Sequence, residues 1–344
     1  MASLRALGLS LAATAVLVSP GFAQSGSFGN SVVIDGDALI IGEPNNSFRP
    51  GMVYVYRKSE GDWIESARLT APGADRADGF GAVLALSGNT LFVATRAGGL
   101  YAYERSGAAW AFSGTLAADD VVGLDPRCNF NGYCGVDYGI SLSADRDWLL
   151  VGQARTATDV SRMRPRQRRG DESILPPPAG TVYAFQRGPD GRWTERQRIE
   201  SPAAAPGDAF GAAVSVVGDR VLVGAPKAAS NGGSLEGAGR VFEYHLVDGL
   251  WREGAEITVV GEAEALFGAT IVSSEERAVI GAPFSRLGFG AAFVFDLDDA
   301  TGTWSERARL EAPEALEGDV FGGSVALDGD DVWVGAPVVR GLET

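Results

Sequence analysis

Residues 210–226 read FGAAVSVVGDRVLVGAP, and nearly the same phrase returns as FGATIVSSEERAVIGAP at 267–283 and FGGSVALDGDDVWVGAP at 321–337. Each opens on Phe-Gly and closes on Gly-Ala-Pro, with the second glycine 13 positions after the first. Aligned starts fall at Phe28-Gly29, Phe80-Gly81, Tyr138-Gly139, Phe210-Gly211, Phe267-Gly268 and Phe321-Gly322, at intervals of 52, 58, 72, 57 and 54 residues. Glycine stands at the second landmark in five of the six (Gly42, Gly152, Gly224, Gly281 and Gly335), and Ala94 takes its place in the other. Self-similarity at such a period marks a propeller or a solenoid and outranks local propensity.

Two further landmarks recur. A glycine precedes an aromatic strand in GMVYVY (51–56), GLYAY (99–103), GTVYAF (180–185), GRVFEY (239–244) and GAAFVF (290–295). A tryptophan then leads the last segment: Trp63, Trp110, Trp193, Trp251 and Trp304. Each unit thus reads as four short strands, with period-two alternation in VYVY and VFEY. Stretches such as RVLV and DVWV are apolar almost throughout, as sheets covered on both faces require. Four-stranded sheets repeated radially predict an all-β propeller over residues 24–344, with blades starting near 28, 80, 138, 210, 267 and 321. The chain supplies five complete blades and the first half of a sixth. Either that half closes the inner ring, or the sequence is part of a longer propeller.

The phrase resembles the FG-GAP repeat, the blade unit of integrin α-subunit propellers and of many secreted bacterial proteins. The resemblance runs from about residue 28 to 337 and implies an exported recognition or adhesion module. Its calcium-binding members carry an Asp-x-Asp/Asn-x-Asp-Gly loop between the first two strands. The six hairpins here (IDGDAL, LSGNTL, SADRDW, VVGDRV, SSEERA and LDGDDV) are too short to wrap six oxygens around calcium. No metal site and no cofactor are expected. DLDDATG (296–302) spaces its acids suitably but has Ala300 at the fifth position.

Residues 1–23 have the order of a secretory signal: Arg5, an apolar run at 7–18, then small residues before a cut after Ala23. The run is short for a membrane span. No cysteine follows the cut, so lipidation is not expected, and the predicted product is exported, extracellular or periplasmic, without membrane insertion. In that compartment Cys128 and Cys134, in CNFNGYC, are expected to form a disulfide. The net charge of −15 and pI near 4.6 exclude nucleic acid as a general partner.

What every repeat shares serves architecture first, so functional candidates are features present once. Asp78, Asp137, Asp208, Glu264 and Asp319 precede the Phe-Gly pairs and read as turn residues satisfying backbone N–H groups. A ring of substrate-facing carboxylates is the alternative. Two insertions are unique: the link into blade three, holding CNFNGYC, and the second-to-third-strand connection of blade three, TATDVSRMRPRQRRGDESILPPPAG. Both emerge on one face, together with EPNNSFRPG (43–51) and KAASNGGSLEGAG (227–239), whereas the other face has short turns. The ligand surface is therefore expected on the long-loop face. There Arg162, Arg164, Arg166, Arg168 and Arg169 are the ligand-binding candidates, a basic patch suited to an anionic glycan or acidic partner. The same segment contains Arg169-Gly170-Asp171, and Asn45-Asn46-Ser47 is a glycosylation sequon.

The expected function is a secreted, non-catalytic module binding a protein or glycan near blade three. Two alternatives remain: a carboxylate-dependent glycan hydrolase on the same face, and a structural subunit pairing through the open last blade. No Ser-His-Asp set is legible, because the single histidine, His245, lies inside VFEYH. No enzyme activity is expected.

Overall fold

The computed structural model describes residues 28–44, 49–74, 78–95, 99–116, 140–154, 180–200, 203–205, 207–228, 237–259, 265–298, 300–314 and 316–336. It contains five four-stranded antiparallel sheets and a two-stranded sixth, each with neighbouring strands in sequence order. The first strands of successive blades pack side by side from blade one to blade six, as the radial order of a propeller requires. Blades one to five span 31–69, 83–115, 140–199, 214–257 and 270–310; the half blade spans 324–335. Among the described residues helix is confined to one turn, Ser285–Gly288. Among the described residues no helix is long and apolar enough to cross a membrane.

The repeated phrase is explained by the backbone. Phe-Gly occupies the centre of a turn closed by an i to i+3 hydrogen bond, with Ala212 N–H donating to the Ala209 carbonyl at 3.0 Å and Gly323 N–H to that of Val320 at 2.9 Å. The glycine has φ near +87° in each described turn, the left-handed value a type II turn requires at that position. In the inner blades the phenylalanine before it is driven inward, and Phe80, Phe210 and Phe267 are fully buried, whereas Phe28 at the first turn is exposed. The 13-residue spacing is hairpin closure: Gly211 N–H donates to the Gly224 carbonyl at 2.9 Å, as Gly268 does to Gly281 and Gly322 to Gly335, each at 3.1 Å.

The same glycines make the seams between blades. A Cβ on Gly224 would overlap the Gly268 carbonyl oxygen of the next blade; Gly42 meets Gly81, Gly152 meets Gly211, and Gly281 meets Gly322 in the same way. The glycine that opens the aromatic strand lies against the next blade's phenylalanine carbonyl, as with Gly239 and Phe267. These pairs also form short parallel bridges, Gly239 to Phe267 and Gly290 to Phe321.

Between the seams lie five apolar cores, each shared by two consecutive blades. Leu222 on the second strand of blade four faces blade five, meeting Ala278 and Ile280. Val279 in the same register of blade five faces Val325, Val332 and Val334 of blade six. Each fourth-strand tryptophan leans on the preceding blade, with Trp251 edge-on to Trp148 at 5.3 Å and Trp193 to Phe92 at 4.9 Å. Among the described residues Trp63 of blade one has no such neighbour, and it is 40% exposed. Trp333, in the register of the fully buried Leu222 and Val279, is 53% exposed. The expected architecture is observed throughout the described residues.

Candidate functional site

The acids ahead of the Phe-Gly turns satisfy backbone donors, as their sequence position suggests. Asp78 Oδ1 accepts from Gly51 N–H of blade one at 2.9 Å and from Phe80 N–H of its own turn at 3.0 Å. Asp208 and Asp319 accept from Ala205 and Leu316 N–H groups. Burial raises the Asp208 pKa above the ordinary carboxylate value, opposed by its hydrogen bond from Ala205 and by nearby Arg240. Asp137 and Glu264 lie outside the described residues. In DLDDATG, Asp298 caps its turn by accepting from Ala300 and Thr301 N–H groups. Among the described residues no three His, Cys, Asp or Glu side chains gather as metal ligands would.

The arginine tract 162–169, the Arg-Gly-Asp triplet, Cys128, Cys134, the sequon and the signal segment all fall outside the described residues. Their anchors do not. Ile140, which follows the first insertion, pairs with Gln153; Ala154, which precedes the second, pairs with Gly180, which follows it. Both insertions therefore join blade three at adjacent points on one end of its sheet.

A cavity of about 380 Å³ lies at the opposite end, on the face of short turns. It opens where the first hairpin turns of blades three, four and five converge, and Arg146, Gly218, Asp219, Arg220, Ser274 and Glu275 line it. Those turns are separated in sequence by whole blades, so no local motif announces the cavity.

Arg146 replaces a glycine. Gly36, Gly88, Gly218 and Gly329 take the first turn position in four other blades with φ near +60°, as a primed hairpin turn needs. Arg146 holds φ +53° there, a conformation strained for a side chain. Its guanidinium lies 3.9 Å from both Asp145 and Glu275 and makes no side-chain hydrogen bond among the described residues. Asp145 is already engaged, accepting from Gly218 N–H at 2.7 Å.

Arg220 is held from below by a carboxylate that sequence reading missed. Glu243, on the third strand of blade four (Arg240–Val247), is 1% exposed. Its Oε1 accepts from Trp304 Nε1–H of blade five at 2.9 Å and lies 3.0 Å from Arg220 Nε. Its Oε2 lies 3.3 Å from His245 Nε2. The Arg220 guanidinium stacks on the Trp304 ring at 5.4 Å, and its Nη1 makes only a long, 3.5 Å contact with the Glu275 carbonyl. Gly254 makes room for the imidazole, since a Cβ there would sit 2.8 Å from His245 Cδ2. Strand pairing puts Val55, Ala102, Ala184 and Val294 in the Glu243 register of the other blades. The odd residue was visible in GRVFEY against GMVYVY, GTVYAF and GAAFVF, but alternation alone reads Glu243 as facing solvent.

A family model for the FG-GAP repeat matches residues 193–242 and 304–341. Each match begins near the tryptophan strand of one blade and runs into the next. No curated protein matches the chain. Among solved structures, a Lactobacillus plantarum protein is 12% identical with a TM-score of 0.48, over 81% of this chain and 69% of that one. A functionally unknown protein from Desulfotomaculum acetoxidans is 11% identical with a TM-score of 0.48, over 86% and 74%. A Bacteroides uniformis protein whose name proposes a 6-phosphogluconolactonase is 12% identical with a TM-score of 0.49, over 85% and 74%.

Proposed function

We propose that this FG-GAP-repeat propeller is an exported, non-catalytic recognition module, engaging a protein or glycan through the end of blade three that carries both long insertions. The observation that supports the reading is the register Ile140 to Gln153 and Ala154 to Gly180, which makes neighbours of the points where residues 117–139 and 155–179 meet the sheet. Behind them Leu149, Leu150, Val182 and Ala184 are buried, so the anchors belong to a packed scaffold. Loops on such a scaffold are the ordinary place for recognition. Arg162, Arg164, Arg166, Arg168 and Arg169 supply positive charge suited to an anionic ligand. A Cys128–Cys134 bridge would restrain the neighbouring insertion, and mass spectrometry without reductant tests for it.

The test uses immobilised heparin as a polyanionic probe and uncharged dextran as control. Salt-sensitive binding to heparin is expected, lost both when residues 156–178 are replaced by a Gly-Ser linker and when the five arginines become serine. Binding that survives both changes overturns the reading. Exposure of Trp333 favours a second reading, association through blade six. Sedimentation of the Trp333→Ser variant against the unaltered chain tests it, and identical monomeric profiles count against it.

A further inference from the structure

We infer that the cavity between the first hairpin turns of blades three, four and five binds a monosaccharide-sized sugar acid, with Glu243 as the positioning residue that aims Arg220 into it. The site lies on the face opposite the blade-three insertions and stands independently of the function proposed for them.

Blade four carries a charge that the architecture does not need. Across the five complete blades, the first residue of the second strand and the third-strand residue in the Glu243 register are Ala38 and Val55, Thr90 and Ala102, Trp148 and Ala184, Arg220 and Glu243, and Arg277 and Val294. Four blades close over an apolar third-strand residue at this place. A buried ion pair seldom stabilises more than the apolar pair it replaces, so fold stability does not account for a carboxylate in blade four. What the carboxylate does is fix a guanidinium. Paired with Glu243 through Nε and lying over the Trp304 ring, Arg220 is held in the cavity wall. Arg277 in the same register of blade five is differently used: it binds Asp296 at 2.7 Å and Asp330 of blade six at 2.8 Å, tying two blades together.

Arg146 supplies the second cation from across the opening. Its contacts with Asp145 and Glu275 are long, exposed and without a hydrogen bond, so little is lost on exchanging them for a bidentate carboxylate. Asp219 and Glu275 add carboxylates whose oxygens accept no hydrogen bond among the described residues, leaving them free to receive hydroxyl protons. Asp145, Asp219, Glu243 and Glu275 surround the two arginines, so a ligand can bring at most one negative charge and must bring hydroxyl groups to meet the acids; a dianion meets more repulsion. The volume, about 380 Å³, lies at the small end of ligand sites and suits one sugar ring.

Isothermal titration of the full chain with D-glucuronate, D-glucose and glucose 6-phosphate tests this. Glucuronate is expected to bind saturably, glucose and glucose 6-phosphate at least about tenfold more weakly. Arg146→Ala, at an exposed position, should weaken glucuronate about tenfold with the melting temperature unchanged. The double variant Arg220→Ala with Glu243→Val, which copies Ala38 and Val55 of blade one, should fold and lose binding. Glu243→Gln keeps an acceptor for Trp304 but not the charge, and should weaken binding several-fold without a stability change. Replacing residues 156–178 should leave all of this unaltered. Absence of saturable glucuronate binding, or equal binding of either competitor, overturns the site. Full affinity in Glu243→Gln overturns the positioning role.

Discussion

Gly224 of blade four and Gly268 of blade five touch backbone to backbone, leaving no volume for a Cβ between them. The contact joins the second landmark glycine of one repeat to the Phe-Gly glycine of the next, so landmark residues of the repeat are those where its blades meet. Gly224→Ala should therefore destabilise by about 2–4 kcal/mol, because main chain rather than a flexible side chain must yield. Gly36→Ala is the matched control: nothing lies within 4 Å, but φ is +58°, and only about 1 kcal/mol is expected. Urea denaturation of both variants separates crowding from backbone strain.

Asp78 joins blade one to blade two by accepting from Gly51 and Phe80 N–H groups. Asp78→Ala leaves both donors without that acceptor and should lower stability by about 1.5–3 kcal/mol, with Asp78→Asn recovering part of the loss. Equal stabilities for the two variants, measured by denaturant midpoint, would contradict this assignment.

Asp208 titrates upward in the folded protein, burial being the main cause. The proton is bound more tightly when folded, so the favourable contribution is complete below the ordinary aspartate value of 3.8 and is lost as pH rises through the folded value. Asp208→Asn, which retains an acceptor for Ala205 N–H, should accordingly gain on the parent protein as pH rises from 3 to 7. Thermal melts across that range check the sign, and a gap that narrows with rising pH would refute it.

Tyr54 and Tyr103 should ionise late, both pushed up to about 12. Tyr54 donates to Glu43 at 2.7 Å, and its neutral form is favoured by that bond; Tyr103 is raised chiefly by burial, and donates to the Thr70 carbonyl at 2.6 Å. Their contribution to stability is present below pH 10 and is lost as pH rises through 12. Spectrophotometric titration should show Tyr54 and Tyr103 lagging, and Tyr54→Phe should remove one late-ionising tyrosine.

The blades were legible because their landmarks answer to local geometry: a positive φ at the Phe-Gly glycine, a fixed hairpin length, a seam too tight for a side chain. The residue before that phenylalanine also needs left-handed backbone, yet it is Gly79, Ala209, Leu266 or Val320, so composition conceals the requirement. Glu243 was hidden for another reason. Alternation separates two faces of a strand but does not say that both are covered, and here the face opposite Phe242 is filled by blade five. Arg146, Arg220 and Glu275 come together only through the radial order, which spacing implies but side-chain pattern does not.

The pairing of Ala154 with Gly180 has a consequence for how such a protein can change. Once two strand ends are held together, the entropy of the loop between them grows only with the logarithm of its length, about 0.6 kcal/mol for each doubling. The blade beneath does not register what the loop says. Natural variation or a protein engineer can rewrite the segment between Ala154 and Gly180 wholesale, at a thermodynamic penalty smaller than that of one alanine placed at Gly224.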